Sequence, residues 1–271
     1  TNINIIREIK KFGLGADVVS IGELMLSLKA GIDPKKIVFS GVGKKSNEIK
    51  FAIEKKILLI NAESISEIKE INKIAKLKKK KVSVGIRINP NTDAKTLSQI
   101  STGKKENKFG VNKKTFFQII DYCKHSKNID LKCLSVHIGS QILDHKPYQK
   151  MLRIVDQILN KTSHRFEFID LGGGMGITYS QTNKKLNYKK YNNSIVEFLK
   201  KNNVKIIFEP GRSIIGNTGI LLTKVIYIKD SDKKKFIILD AAMNDLMRPA
   251  LYGAFHKTLP IIKSKKISKK I

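Results

Sequence analysis

The sequence predicts an α/β chain: a (β/α)8 TIM-type barrel without its first strand over residues 1–220, followed over 221–271 by the start of a β-rich domain. Three observations predict it. Short apolar runs alternate with amphipathic stretches of helical period seven times along the chain. A helical segment, INIIREIKKF at 3–12, comes before the first run. Past about Leu222 the alternation stops, and VIYIKD and KFIILDAAM are joined by a polar turn instead of a helix. Seven strands behind an orphan helix is what an eight-stranded βα barrel leaves when its first strand is missing. A doubly wound sheet is the alternative, because periodicity does not show closure.

In order, the strands are expected at 16–20 (ADVVS), 36–41 (KIVFSG), 57–62 (ILLINA), 82–89 (VSVGIRIN), 134–139 (LSVHIG), 166–171 (FEFIDL) and 205–209 (KIIFE). Helical periods fall between them at 21–30, 45–56, 64–80, 112–126, 147–161 and 188–202. Ser64 followed by Glu67 reads as a capping box that starts the helix at 64.

Composition narrows the classes of function. The 271 residues carry a formal net charge of +30, with 53 Lys and Arg against 23 Asp and Glu. Such a charge suits a nucleic-acid binder. The excess is nearly all Lys, however, spread over helix faces and turns such as Lys78–Lys81 and Lys233–Lys235, with no zinc finger and no basic repeat interleaved with aromatics. A compositional bias toward lysine explains it better, and no nucleic-acid partner is expected. No run of eighteen apolar residues and no secretory signal is visible, so no membrane role is expected. Cys123 and Cys133 form no metal or redox spacing and fit a reducing, cytoplasmic setting. A start at Thr1-Asn2-Ile3, without Met, leads to the expectation of a fragment.

Barrels of this kind build their sites at the C-terminal ends of the strands. The residues there are polar or small: Ser20, Glu23, Ser40, Gly41, Asn61, Glu63, Arg87, Asn89, His137, Gly139, Ser140, Gly172–Gly174, Glu209, Gly211 and Arg212. FIDLGGGMGITYS (168–180) breaks from an apolar run into three adjacent glycines, which cost backbone entropy and are kept where a side chain would obstruct something. Their N–H groups suit an anion such as a phosphate. The pattern is not a GxGxxG fingerprint, and GVGKKS (41–46) fails as a Walker loop because Val38 stands where its first Gly belongs. His137 fits a core histidine, a metal ligand with Asp144 and His145, or a flat ring stacked on a planar cofactor with Ser140 donating to a phosphate. Glu209, after three apolar residues, either pairs with Arg212 or holds a proton on a heterocyclic nitrogen.

The motifs GADVVSIGEL (15–24), INAES (60–64), RINP (87–90), TGKKENKFG (102–110), HIGSQI (137–142), DLGGGMGITY (170–179), EPGR (209–212) and MNDLMRPALYGAFH (243–256) occur in order along nearly the whole chain. Together they resemble the diaminopimelate decarboxylase family, pyridoxal phosphate enzymes of the alanine-racemase-like barrel fold. The resemblance implies carboxy-lyase activity on meso-2,6-diaminopimelate, giving L-lysine, in a cytoplasmic homodimer. It implies that His137 stacks on the pyridine ring, that Ser140 and the Gly172, Gly173 and Gly174 backbone hold the phosphate, and that Glu209 pairs with the ring nitrogen. Gly211 and Arg212 would line the phosphate and substrate region, and Arg212, Arg248 and Tyr252 would grip the distal carboxylate. The family's Schiff-base lysine is expected upstream of Thr1, so the chain by itself is expected to be inactive. Leu97 and Gln99 depart from the His and Tyr expected in the loop around 91–110. A related barrel decarboxylase of ornithine, arginine or carboxynorspermidine is the nearer alternative, and a non-catalytic remnant the further one.

Overall fold

The computed structural model describes residues 2–90, 108–179, 185–232 and 234–262. One sheet holds seven parallel strands in chain order: β1 (Ala16–Val18), β2 (Ile37–Phe39), β3 (Leu59–Ala62), β4 (Val82–Arg87), β5 (Ile129–Ser135), β6 (Phe168–Asp170) and β7 (Lys205–Ile207). A doubly wound sheet reverses direction at a switch point. This one never does, so its order is that of consecutive staves in a barrel wall. Antiparallel β8 (Val225–Ser231) and β9 (Lys234–Leu239) form a second, separate sheet.

Helices α1 (Ile3–Lys11), α2 (Ile21–Lys29), α3 (Ser46–Lys55), α4 (Ile65–Leu77), α5 (Lys113–Lys124), α6 (Lys146–Leu159) and α7 (Tyr188–Lys201) alternate with the strands. Five of them start on a short polar cap: Asn2, Ser20, Ser64, Asn112 and Asn187 each accept the N–H three residues on. The carboxylates at the third helical position reach one residue further back than a capping box requires. Glu67 takes the N–H of Glu63, and Glu23 that of Val19. Ser20 and Glu23, expected at the site, thus begin α2. The short α8 (Arg212–Ile215) and α9 (Arg248–Tyr252) fall where no helical period was visible. Among the described residues no helix is long and apolar enough to cross a membrane.

Strand five differs most from expectation, starting at 129 and ending at 135 instead of running over 134–139. Its register explains why: Val84 faces Leu131 but Gly85 faces Cys133, which leaves Lys132 as the extra residue of a bulge. A bulge inverts the alternation of faces, so Ile129 and Leu131 point outward to the helices while Cys133, in step with them in sequence, points inward. His137 consequently lies beyond the strand, in the loop that follows it.

The two faces of the wall carry different chemistry. Outward residues such as Phe39, Ile60, Ile86, Leu134 and Ile169 pack against the helices in one large core. Inward, Val38, Leu59 and Cys133, with Phe168 and Ile207, make a small apolar floor. Because inward side chains recur every second residue, the next layer up holds Ser40, Asn61, Ser135 and Asp170, all buried. Asp17, the register partner of Val38, faces the same interior from the edge strand β1, where solvent still reaches it. Burial pushes the thiol of Cys123 up to about 12 and that of Cys133 well above its ordinary range, so both stay protonated.

The lysine of GVGKKS has a structural task. Lys44 Nζ, 1% exposed, donates to Gly41 O (2.5 Å), Asn61 O (2.7 Å) and Glu67 Oε1 (2.7 Å). It ties the ends of β2 and β3 to α4 and has no donor left for a phosphate. Lys44→Met leaves Glu67 and two carbonyls unpaired, and is expected to destabilise the fold by about 3 kcal/mol, read as a lower urea midpoint.

Candidate active site

The glycine run lies where three strand ends meet. Gly172 and Gly174 have φ of +63° and +87°, which side chains rarely adopt. A Cβ on Gly172 would lie 2.5 Å from His137 Nδ1, one on Gly173 2.1 Å from Glu209 O, and one on Gly174 2.4 Å from Gly139 O. The obstruction that keeps these positions bare is therefore the protein itself. Two of the three N–H groups also bond internally: Gly172 N donates to Asp170 Oδ1 (2.9 Å) and Gly173 N to His137 Nδ1 (3.2 Å). Among the described residues the N–H of Gly174 is the one left over. Tyr148, fully buried on α6, fixes the intervening peptide by donating from its hydroxyl to Gly173 O (3.2 Å).

His137 accepts at Nδ1, which makes it a neutral imidazole. Burial, and then the Arg87 guanidinium, lower its pKa to about 4. The unfolded chain takes up the proton near 6.5 and the folded chain only near 4. Stability is therefore expected to fall as pH drops through that window. Urea midpoints measured against pH should show this loss, and His137→Phe should flatten it. His145 meets Asp144 (3.2 Å), but among the described residues no three His, Cys, Asp or Glu side chains are grouped for a metal.

Glu209 follows β7, and its backbone N–H donates to Gly172 O (2.9 Å). Its Oε1 is buried with no hydrogen-bond partner among the described residues. Burial chiefly, then Asp170 and Asp17, hold this carboxyl well above the usual carboxylate range, against the pull of Arg87. Asp170 is 0% exposed and accepts from Asn61 Nδ2 (2.9 Å) and Ser135 Oγ (3.0 Å) as well as from Gly172. A side chain at residue 85 would stand 2.0 Å from Asn61 Oδ1, so Gly85 gives Asn61 room to span the interior. The sequence reading missed Asp170 and Asp17. Their signal was a carboxylate inside a strand run, as in FID.

Arg212 does not pair with Glu209. Its Nη1 donates to Gln141 Oε1 (3.1 Å), and Gln141 Nε2 donates to Ile177 O (2.7 Å). Arg248 Nη1 donates to Tyr179 Oη (2.5 Å), and its guanidinium lies 4.8 Å from that ring. His256 meets the same ring edge-on at 5.5 Å. Both guanidiniums are thus held to the segment just after the glycine run, each by a neutral partner. Among the described residues neither has a carboxylate within ion-pair distance. Tyr252 is four residues beyond Arg248 on α9, hence on the same face. Arg87 pairs with Glu63 (3.2 Å), which also accepts Gly110 N–H (2.9 Å). Ser140 precedes Gln141, whose φ is +62°, and Gly211 opens α8 with no atom within 4 Å of a built Cβ. Leu97 and Gln99 lie outside the described residues.

Residues 1–216 match the profile of a family described as pyridoxal-dependent decarboxylase, pyridoxal binding domain. The chain belongs to that family. Diaminopimelate decarboxylase of Aquifex aeolicus (strain VF5) is 40% identical over 263 residues, covering 96% of this chain and 63% of that protein. The Helicobacter pylori (strain J99) enzyme of the same name is 44% identical over 260 residues, 94% of this chain and 64% of its own length. Among solved structures, H. pylori diaminopimelate decarboxylase complexed with L-lysine superposes with a TM-score of 0.91 at 42% identity, covering 97% of this chain and 67% of that one. The chain spans somewhat under two thirds of the length of these curated relatives. The family's cofactor is pyridoxal phosphate, and the residues described here fit it. Glu209 offers a buried, unpartnered carboxyl oxygen for a ring nitrogen, His137 a neutral flat face, and Gly174 an unused N–H.

Proposed function

We propose that the protein carrying this domain decarboxylates meso-2,6-diaminopimelate to L-lysine. The observation that carries the reading is the pair of guanidiniums, Arg212 and Arg248, held by Gln141 and Tyr179 and, among the described residues, without a carboxylate in ion-pair distance. A planar fork fixed this way suits the distal carboxylate of a diacid. The cationic ends of ornithine or arginine would meet like charge instead.

When bound, pyridoxal phosphate supplies the electron sink for the pair left by departing carbon dioxide. In this reading His137 covers the ring face and Glu209 holds a proton at the ring nitrogen. Ser140, Gly174, Gly211 and Arg212 surround the phosphate, with Gly172 and Gly173 fixing the turn that presents Gly174. Arg248 and Tyr252 orient the substrate with Arg212. The apolar floor and the buried layer above it keep water from beneath the ring. The reading also includes a homodimer, taken from the family resemblance, and a division at about residue 220, taken from the end of the βα alternation. The separate β8–β9 sheet supports that division, with side chains such as Tyr227 (70%) and Ile228 (64%) left exposed.

Arg248→Leu tests the substrate assignment. It is expected to lower kcat/KM for diaminopimelate by about 2–4 kcal/mol, on the order of 10²-fold or more, mostly through KM. Unchanged kinetics would remove Arg248 from the substrate site and take the argument for a diacid with it.

A further inference from the structure

We infer that Glu209 and Asp170 share a single proton in the cofactor-free domain, with Glu209 the donor and Asp170 the fixed anion. The inference deepens the role proposed for Glu209, but it is argued from groups present without cofactor or substrate.

Glu209 stands two residues past inward-facing Ile207, the register partner of Asp170, so both carboxyls face the interior from adjoining strands and come within hydrogen-bonding reach of each other. Two ionised carboxylates at that distance repel strongly in a buried layer, so one of them binds a proton. Which one is decided by the donors around Asp170. Its Oδ1 faces the N–H of Gly172, which can only donate. Its Oδ2 faces Asn61 Nδ2 and Ser135 Oγ. Turning the Asn61 amide over would set oxygen against oxygen. An ionised Asp170 accepts all three of these bonds at full strength, and protonating it would weaken them, whereas a proton on Glu209 finds Asp170 as acceptor. Among the described residues Glu209 has no comparable set of donors, and its Oε1 has no hydrogen-bond partner.

The other charges facing the pair leave the sign unchanged. Asp17 adds a third carboxylate from β1, with Glu23 near it. Among the described residues the cation acting on the pair is Arg87, already engaged with Glu63. Burial of Glu209 acts in the same direction. The consequence is that the group placed for the ring nitrogen is already loaded, and the pair presents one negative charge there instead of two. Asp170 is a positioning residue in this account, acting through Glu209.

The test uses the cofactor-free chain with glutamate labelled by 13C at the carboxyl, the Glu209 signal being assigned by its loss in Glu209→Gln. The expected result is an acid-form Glu209 signal at neutral pH, with its titration midpoint lowered in Asp170→Asn by a tenfold or greater loss of proton affinity. An ionised Glu209 at neutral pH, or an unmoved midpoint in Asp170→Asn, overturns the inference. Should Asp170→Asn not fold, Glu209→Gln decides. The amide is an isostere of the neutral acid and can donate to Asp170, so it should keep the wild-type melting temperature at neutral pH. It should also abolish the loss of stability that a raised carboxyl pKa imposes as pH rises through it. A Glu209→Gln variant destabilised at neutral pH, or one that keeps the decline with rising pH, contradicts the shared proton. Either failure leaves the substrate assignment standing, since no substrate enters the measurement.

Discussion

Replacing Glu209 by Gln in the cofactor-loaded protein is expected to lower turnover by on the order of 10³, while cofactor retention changes by less than about tenfold. The substitution preserves size and the contact to Asp170. It removes the proton and the negative charge available to the ring nitrogen, and with them the difference between a passive ring and an electron sink. Retention should survive because it draws on other groups, namely the His137 face and the phosphate surroundings. Parallel measurement of turnover and of cofactor absorbance after gel filtration separates the two. Equal losses in both would mean that Glu209 merely helps to bind the cofactor.

The second large effect is structural. Gly173→Ala is expected to destabilise the fold by about 3 kcal/mol and lower the melting temperature by roughly 5–10 °C. A Cβ there meets the backbone carbonyl of Glu209 at 2.1 Å and its carbon at 3.0 Å, and neither can rotate away as a side chain could. Relief requires moving the end of β7, and Glu209 moves with it. Gly211→Ala is the control, since nothing lies within 4 Å of a Cβ at that position. A melting temperature for Gly173→Ala equal to that of Gly211→Ala would show that the strand ends are less tightly joined than their distances imply.

Much of this architecture could be read from the sequence because βα alternation is a local signal. Apolar runs such as KIVFS and ILLINA mark strands wherever helices cover the outer face, and their sequential order follows from right-handed crossovers. Lys132 shows where that reading stops. One bulged residue inverts the faces of β5, and the scan lost the first half of the strand. The glycine run illustrates a second limit. Its sequence announces a close approach, but the approaching groups are His137, Glu209 and Gly139, which come from elsewhere in the chain and are known only from the fold. Glu209 followed the same course. Arg212, three residues away, was its nearest candidate partner in sequence, yet the barrel brings Asp170 to it from the neighbouring strand. Asp17, Asn61 and Asp170 read as ordinary strand residues until the register places them on one interior face.

The central claim is tested most directly by carbon dioxide release from the protein carrying this domain, loaded with pyridoxal phosphate and offered meso-diaminopimelate, ornithine and arginine at equal concentration. The account predicts release from diaminopimelate with L-lysine as the product, at a kcat/KM on the order of 10² or more above the other two. Preferred turnover of ornithine or arginine would contradict it, and would mean that Arg212 and Arg248 do not receive a second carboxylate.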